Sequence, residues 1–235
     1  MTATDRVASW SQPGTVAAFA SGAPNARLMA VAARLRASGA RRVVDIGCGA
    51  GRNAIPLARK GWDVLGFDLS SPMIDAAVRR AREESLDPLA EFRVAPMDAI
   101  PADQASADLV VAHGIWNLAV SSDEMRNGMR EAARIARPGA RLFVFTFSRH
   151  TLPDDAPPVE GETFVFTQFS GQPQCFLTEA QLVAELADAG FVRDPEEPIL
   201  EHNRPPDGAA PLTRAPVIYE GVFLRRMPFT TSSAV

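Results

Sequence analysis

A glycine-rich segment constrains this chain more than any other feature of its sequence. From Val43 to Asp68 it reads VVDIGCGAGRNAIPLARKGWDVLGFD. An apolar run is followed by three alternating glycines, then by a stretch with helical character, then by a second apolar run that ends on a carboxylate. Two parallel strands joined through a helix have this order, and glycine permits the sharp turn after the first strand. The segment therefore predicts a β-α-β unit in a parallel sheet.

The turn and the carboxylate that follows it suit a nucleoside ligand. Gly47, Gly49 and Gly51 let a ligand approach bare main chain, and the next helix presents unpaired N–H groups at its start. Asp68 ends the second strand about 20 residues later, where a carboxylate can accept two hydrogen bonds from a ribose diol. These residues predict a nucleoside cofactor.

The spacing of the glycines separates two classes of nucleoside cofactor. A dinucleotide site has the pattern G-x-G-x-x-G, and its third glycine would fall at Arg52. The run here is D-x-G-x-G-x-G, from Asp45 to Gly51. A carboxylate two residues before the first glycine repels a pyrophosphate and attracts an ammonium group. S-adenosylmethionine carries an ammonium group and no phosphate, so the spacing favours it over NAD.

These motifs resemble motif I and the following motifs of the class I S-adenosylmethionine-dependent methyltransferases, and GCGAGRNA looks like the tellurite-resistance and small-molecule members. Asp45, Gly47 and Gly49 match the family's methionine-binding turn, Asp68 its ribose-binding acid, and Met97-Asp98 the pair that flanks adenine. The resemblance implies methyl transfer to a small molecule, with S-adenosyl-L-homocysteine as product. It implies cofactor contacts for Asp45, Gly47, Cys48, Gly49, Asn53, Asp68, Leu69, Met73, Met97, Asp98, Ala99 and His113.

Strands that alternate with helices predict an α/β fold. We expect a Rossmann-like, doubly wound, seven-stranded sheet, mostly parallel with an antiparallel edge hairpin. The predicted strands cover 42–46, 62–67, 91–95, 108–112 and 141–147, with a sixth from Phe191 and a seventh over 217–226. Capping residues predict helices that begin near Asn53, Ser71, Ser121 and Thr178, the third ending at 137–139.

The whole chain, 1–235, is expected to form a single methyltransferase domain. It has an N-terminal arm, 1–40, that is polar and interrupted before Pro24, and a long connection over 148–177 that is rich in phenylalanine. Long connections without helical pattern are uncommon unless they are functional, so we expect 148–177 to be a lid-like insertion. Its phenylalanines have an alternative role, which is to cover the edge of the sheet.

Methyl transfer from a sulfonium depends mainly on orientation and on exclusion of water. Aromatic residues near the pocket are therefore the candidates for contact with the acceptor. The acceptor is expected to be a small aromatic or heteroaromatic metabolite, with nitrogen, oxygen and sulfur all open as the methylated atom. The candidate substrate-binding residues are Trp10, Phe19, Trp116, Asn117, Phe147 and Phe169.

His113, just beyond the fourth strand, is the candidate catalytic residue. An imidazole there can act as general base for a hydroxyl or a protonated nitrogen. The alternative is that His113 only packs beside the methionine part of the cofactor. An NAD-dependent oxidoreductase and a cofactor-binding scaffold without catalysis stay open as alternatives for the whole chain.

Composition excludes several other classes. With 24 Lys and Arg against 28 Asp and Glu, the chain has no excess of positive charge for nucleic acid or anionic lipid. Two cysteines and no cluster of carboxylates argue against a disulfide framework and against a metal site. Neither a signal peptide nor an apolar run of about 18 residues is visible. We therefore expect a cytoplasmic monomer or homodimer that acts on a small molecule, with no membrane or nucleic-acid partner.

Overall fold

The structure, a computed structural model, describes residues 3–205 and 215–227. Within these ranges the helices alternate with strands, as the sequence predicts. The α-helices are Ala3–Trp10 (α1), Pro13–Ser21 (α2), Ala26–Ala37 (α3), Ala54–Arg59 (α4), Ser71–Glu83 (α5), Ser122–Ile135 (α6) and Glu179–Asp188 (α7). The strands are Arg42–Ile46 (β1), Asp63–Asp68 (β2), Ala90–Val94 (β3), Ala107–His113 (β4), Ala136–Phe147 (β5), Val165–Phe166 (β6), Gln174–Cys175 (β7), Phe191–Arg193 (β8), Leu200–His202 (β9) and Ile218–Arg225 (β10).

The main sheet is Rossmann-like, with strand order β3-β2-β1-β4-β5-β10-β8, and β9 also pairs with β10. Strands β1 to β5 are parallel. Strand β10 runs antiparallel to β5, β8 and β9, which confirms the predicted antiparallel edge. Because the chain turns in opposite directions after β1 and β4, the ends of these two strands open a crevice at the switch point.

The predicted count of seven strands in the main sheet is wrong, because the sheet has eight. The additional strand is β9, which has three residues and bonds only to β10. So short a segment, with a single apolar residue, gives no readable alternation. Residues 206–214, between β9 and β10, lie outside the described residues.

Three features of the helices differ from the sequence expectation. Helix α6 ends at Ile135 rather than at 137–139, because Ala136 already belongs to β5. The part of the arm before Pro24 forms the helices α1 and α2. Asn53 precedes α4 without capping it, and its side-chain oxygen instead accepts a hydrogen bond from the backbone N–H of Asn25 at 3.0 Å.

The capping interactions of the later helices are confirmed in full or in part. Thr178 and Gln181 form a reciprocal capping box at the start of α7. Ser121 accepts a hydrogen bond from the backbone N–H of Glu124, whose carboxylate accepts from Val120 instead of closing the box. Both helices therefore begin where their polar side chains satisfy first-turn N–H groups.

The central strands are buried on both faces, as expected of a doubly wound parallel sheet. One core layer packs β1 and β2 against α3, α4 and α5, with residues such as Leu28, Ile55 and Ile74. The other packs β4 and β5 against α6 and α7, with residues such as Met125 and Leu182. The two layers hold the carboxyl ends of the strands at one edge.

The segment 148–177 contains the two-stranded sheet β6-β7. Phe164, Phe166 and Phe176 are buried in the core layer of α6 and α7. Phe169 and Phe147 are partly buried and pack edge to face with their ring centroids 5.8 Å apart. These contacts are those of a cover over the sheet, and the lid role stays a prediction. No helix in the described part of the chain has the length and apolarity needed to cross a bilayer.

Candidate active site

A cavity of about 340 Å³ lies at the carboxyl ends of β1, β2 and β4. This size falls in the range of pockets for small ligands. The predicted cofactor residues in its wall are Gly47, Gly49, Asp68, Leu69, Met73, Met97, Asp98 and His113, and the predicted substrate residues there are Trp10 and Phe19. The predicted residues outside the wall are Asp45, Cys48, Asn53, Ala99, Trp116, Asn117, Phe147 and Phe169.

The glycine turn forms the floor of this cavity. Gly47 and Gly51 have φ angles of 73° and 78°, in the left-handed region that favours glycine. A Cβ atom at Gly47 would lie 2.7 Å from the Ile115 side chain, so the turn also packs too closely for a larger residue. The backbone N–H groups of Gly47 and Cys48 donate to the carbonyl of Phe67, which ties the turn to the end of β2.

The Asp68 carboxylate is held in place by the main chain. One oxygen accepts from the N–H of Gly49 at 2.9 Å and the other from the N–H of Ser70 at 2.8 Å. Burial raises the pKa of Asp68, while these hydrogen bonds oppose the rise. The remaining lone pairs face a cavity, and such a carboxylate is suited to accept hydrogen bonds from a ribose diol.

Asp45 lies behind the glycine turn with 1% of its surface exposed. Its Oδ2 atom has no hydrogen-bond partner. Burial raises the pKa of Asp45 to about 7, with the charge of Arg52 lowering it and that of Asp68 raising it further. A buried acceptor without a donor is costly, and the ammonium group of a ligand bound at the glycine turn would supply a donor.

Arg52 is a candidate functional residue to which the glycine spacing assigns no role. Its Nη2 lies 3.0 Å from Nδ1 of His113, and its guanidinium lies 5.5 Å from the ring centroid of Phe19. Burial lowers the pKa of Arg52 and the charge of Asp45 raises it. The sequence signal that could have identified Arg52 is its position as a cationic residue directly after the third glycine. Arg52 thus connects the turn, β4 and helix α2.

His113 packs flat on Phe145, with ring centroids 4.1 Å apart. Both of its ring nitrogens face N–H donors, because Arg52 approaches Nδ1 and the Asn25 amide nitrogen lies 3.3 Å from Nε2. Burial first, and Arg52 second, lower the pKa of His113 to about 4. The imidazole is therefore neutral at neutral pH with one lone pair engaged. A general-base role stays a prediction, and these contacts do not favour it.

Trp116 and Asn117 lie beneath the cavity wall rather than in it. Both are almost fully buried, and neither Trp116 Nε1 nor Asn117 Oδ1 has a hydrogen-bond partner. Trp116 packs so closely on α6 that a Cβ atom at Gly128 would lie 3.1 Å from its Nε1. The neighbouring Ile115 and Leu118 line the cavity instead. Across residues 3–205 and 215–227, no group of three His, Cys, Asp or Glu side chains could hold a metal ion.

Comparison with known proteins agrees with this geometry. Residues 43–139 match a family model described as a methyltransferase domain. The ubiquinone biosynthesis O-methyltransferase of Xanthomonas axonopodis pv. citri is 30% identical over 169 residues, which cover 70% of this chain and 68% of the relative. The chain belongs to the class I S-adenosylmethionine-dependent methyltransferases. This membership decides against the NAD-dependent alternative.

Other relatives of this methyltransferase share less of its length or only its fold. The chain spans less than half the length of two further curated relatives that it matches. Magnesium protoporphyrin IX methyltransferase from Synechocystis, solved with S-adenosylmethionine bound, has a TM-score of 0.64 and 19% identity, covering 94% of this chain and 96% of that one. The [4+2]-cyclase SpnF has a TM-score of 0.66 and 17% identity, covering 86% of this chain and 81% of that one.

The residues present fit the family's cofactor, S-adenosylmethionine. The missing donor at Asp45 matches its ammonium group, and the fixed carboxylate of Asp68 matches its ribose. Met97 and Asp98 lie in the same cavity wall as Asp68, so the two strand ends that should hold adenosine do meet. The cavity therefore fits this cofactor, and the contacts of the individual residues with it stay predictions.

Proposed function

We propose that this methyltransferase transfers a methyl group from S-adenosylmethionine to an oxygen atom of a small, flat, hydrophobic acceptor. The observation that carries the proposal is the cavity in which the glycine turn, Asp68 and Asp98 meet. Oxygen is favoured among the three possible acceptor atoms because the Xanthomonas relative is named an O-methyltransferase. A flat, hydrophobic acceptor is favoured by the aromatic and aliphatic side chains of the wall, which include Trp10, Ile115 and Leu118.

The chain's own residues would bind and orient the cofactor along the wall. Asp45 would hold its ammonium group from behind the turn, and Arg52 offers a cation for its carboxylate. Asp68 would accept hydrogen bonds from the ribose, and Asp98 from the exocyclic amine of adenine. When bound, the cofactor supplies a methyl group on a positively charged sulfur, which an acceptor lone pair attacks in line.

Exclusion of water is the second contribution of this chain. Helices α1 and α2 bring Val7, Trp10 and Phe19 over the cavity, and the rings of Trp10 and Phe19 pack edge to face at 5.7 Å. Holding two reactants in line in a site that excludes water can supply about 7 kcal/mol or more of the barrier. We infer that the N-terminal arm, rather than 148–177, closes the site.

The acceptor would enter beside the 3-10 turn that follows β4. This turn is Trp116–Leu118. Leu118 in the turn and Ile115 just before it line the cavity, together with Glu124 at the start of α6. Trp116 and Asn117 would support these side chains from below instead of touching the acceptor. The predicted acceptor-binding segment after β4 is therefore kept. Ile115 and Leu118 replace Trp116 and Asn117 as the residues that would contact the acceptor.

A second candidate function is cofactor binding without methyl transfer. It is favoured by the SpnF likeness, because a protein named a [4+2]-cyclase shares this fold. The fold therefore supports more than one chemistry. Binding of the cofactor alone cannot separate the two candidates, whereas turnover with an acceptor can.

Calorimetry followed by a turnover screen tests the proposal. The purified chain is titrated with S-adenosylhomocysteine and, as the matched control, with NAD. It is then incubated with methyl-labelled S-adenosylmethionine and separate panels of phenols, carboxylic acids, thiols and heteroaromatic amines. We expect binding of S-adenosylhomocysteine only, and label transfer to an oxygen acceptor. Absence of binding would contradict the cofactor assignment, and label on nitrogen or sulfur alone would contradict the oxygen assignment.

A further inference from the structure

Glu220 is a buried carboxylate that lies outside the cavity wall. It sits on β10 with 4% of its surface exposed. One of its oxygens accepts a hydrogen bond from Asn25 Nδ2 at 2.6 Å, and the other lies 2.9 Å from His202 Nε2. A buried charge is expensive unless such partners hold it, so its presence in a sheet strand calls for a reason.

Asn25 connects this carboxylate to the active site. Its side-chain oxygen caps helix α3 by accepting from the N–H of Leu28 at 2.8 Å. Reversing the amide would break that cap and place the oxygen against the Glu220 carboxylate. The orientation of Asn25 is therefore fixed at both ends, and it presents an N–H group to His113 Nε2, 3.3 Å away.

His113 is consequently enclosed by donors. Arg52 approaches Nδ1, and Asn25 approaches Nε2. A protonated imidazole carries N–H on both nitrogens and needs an acceptor for each. Here a nitrogen donor lies beside each of them, and the backbone carbonyl of His113, which favours the charged form, is outweighed by burial and by Arg52. The low pKa of His113, about 4, agrees with this geometry.

We propose that Glu220 is a positioning residue that acts through Asn25 to keep His113 uncharged beside the positively charged cofactor. A second positive charge in the wall would repel the sulfonium, and the repulsion is strong in a site shielded from water. The inference rests on the proposed function, because it needs this cofactor in this cavity. The titratable and charged groups around His113 and the cavity are Asp68, Asp98 and Glu124 in the wall, Arg52 after the glycine turn, Asp45 on β1, and Glu220 on β10 with its partner His202.

The test exchanges the two polar partners with little change in shape. In the double variant Asn25→Asp with Glu220→Gln, one Asp oxygen still caps α3, and the other accepts from the new Gln amide and from His113 Nε2–H. The contact between residues 25 and 220 is kept, while His113 gains a carboxylate acceptor. A neighbouring carboxylate favours the charged imidazole, so the pKa of His113 should rise toward its ordinary value of about 6.5.

The main measurement is the affinity for S-adenosylmethionine relative to that for S-adenosylhomocysteine, which has a neutral sulfur. In the native protein the ratio should change little between about pH 8 and about pH 6, the range in which an ordinary imidazole titrates. Asp45 takes up its proton in this range too, but it faces the ammonium group that both ligands share. In the double variant the ratio should fall roughly tenfold over this range, because the imidazolium repels only the sulfonium. Because one ligand serves as reference for the other, a general loss of structure does not mimic this result.

A second readout needs no cofactor. The chain has three histidines, so ¹⁵N-histidine NMR can follow each ring separately. We expect His113 to stay neutral in the native protein and to titrate near neutral pH in the double variant. The matched control is Glu201→Gln on the neighbouring strand β9, where the carboxylate accepts from Ser148 Oγ at 2.9 Å and lies 2.5 Å from His150 Nδ1. This control should leave His113 and the ratio unchanged.

The outcomes separate the inference from the proposed function. Failure of the native protein to bind either ligand contradicts the proposed function, and the NMR titration then still decides whether Glu220 and Asn25 control the charge of His113. Binding by the native protein with a constant ratio and an unshifted His113 in the double variant overturns the inference. A shift of His113 in the Glu201→Gln control also overturns it.

Discussion

At the scale of single residues, Asp68 has the best-defined contacts in the site. The variant Asp68→Ala removes a carboxylate that two backbone N–H groups hold toward the cavity. Loss of hydrogen bonds to a charged group should weaken S-adenosylhomocysteine binding by about 1.5–3 kcal/mol, measured by calorimetry. The control is Asp63→Ala at the start of the same strand, where an exposed carboxylate pairs with Arg42. Equal affinities for the Asp68 variant and the native protein would contradict the ribose assignment.

The buried carboxyl group of Asp45 should lower the free energy of unfolding while it favours cofactor binding. Its pKa is raised by burial to about 7 in the folded chain, so the folded state holds a proton that the unfolded state has lost. The free energy of unfolding should therefore fall as pH rises from about 4 to about 7. The variant Asp45→Asn removes this cost, so urea unfolding at about pH 8 should show a gain of about 1 kcal/mol or more. The gain should shrink as the pH is lowered.

The same variant should bind the cofactor less well, because a neutral amide cannot pair with an ammonium group. In the native protein, affinity for S-adenosylhomocysteine should decrease as pH falls below about 7, where Asp45 takes up its proton. Calorimetry across this range measures both effects. An affinity of Asp45→Asn equal to that of the native protein would remove Asp45 from the site.

At the scale of elements, the arm and the segment 148–177 should respond differently to loss of a phenylalanine. Phe19 on α2 contacts the turn at Gly49 and lies against Arg52 and Trp10. The variant Phe19→Ala should weaken S-adenosylhomocysteine binding by about 1 kcal/mol, the value of such aromatic and cation–π contacts. Thermal unfolding should change little.

Phe176 is the matched comparison from the segment 148–177, because its side chain is fully buried in the core layer of α6 and α7. The variant Phe176→Ala should lower the free energy of unfolding by about 3–5 kcal/mol, as large-to-small core changes do. Its affinity for S-adenosylhomocysteine, measured where the protein stays folded, should equal that of the native protein. A larger loss of affinity in this variant than in Phe19→Ala would return the lid role to 148–177.

At the scale of the whole molecule, cofactor binding should stabilise the fold, since the site is assembled from β1, β2 and β4 together. S-adenosylhomocysteine at about 100 times its Kd should add about 2.7 kcal/mol, which raises Tm by about 5–11 °C for a chain of this size. NAD at the same concentration should give no shift. A shift with both ligands, or with neither, would contradict the assignment of the cavity.

The sequence predicted the alternating strands and helices of this molecule well. Five parallel strands, the antiparallel edge and the capping box at Thr178 follow from local patterns of apolar residues, glycines and caps. The strand β9 was missed because three residues carry no periodicity. The helices α1 and α2 were missed because Pro13 and Gly14 suggested a broken segment, although proline is tolerated in the first turn of a helix.

What the sequence alone determined is the cofactor class. The glycine pattern that begins with Asp45, and the position of Asp68, determine the main-chain geometry of the cofactor turn. This geometry depends on residues that are close together in the sequence. Tertiary structure decided the rest: it placed Arg52 and Asn25 against His113, buried the phenylalanines of 148–177, and brought the arm over the cavity. These contacts join residues that are distant in the chain, such as Asn25 and Glu220. The side chains become buried, and their pKa values shift, only once the sheet has assembled.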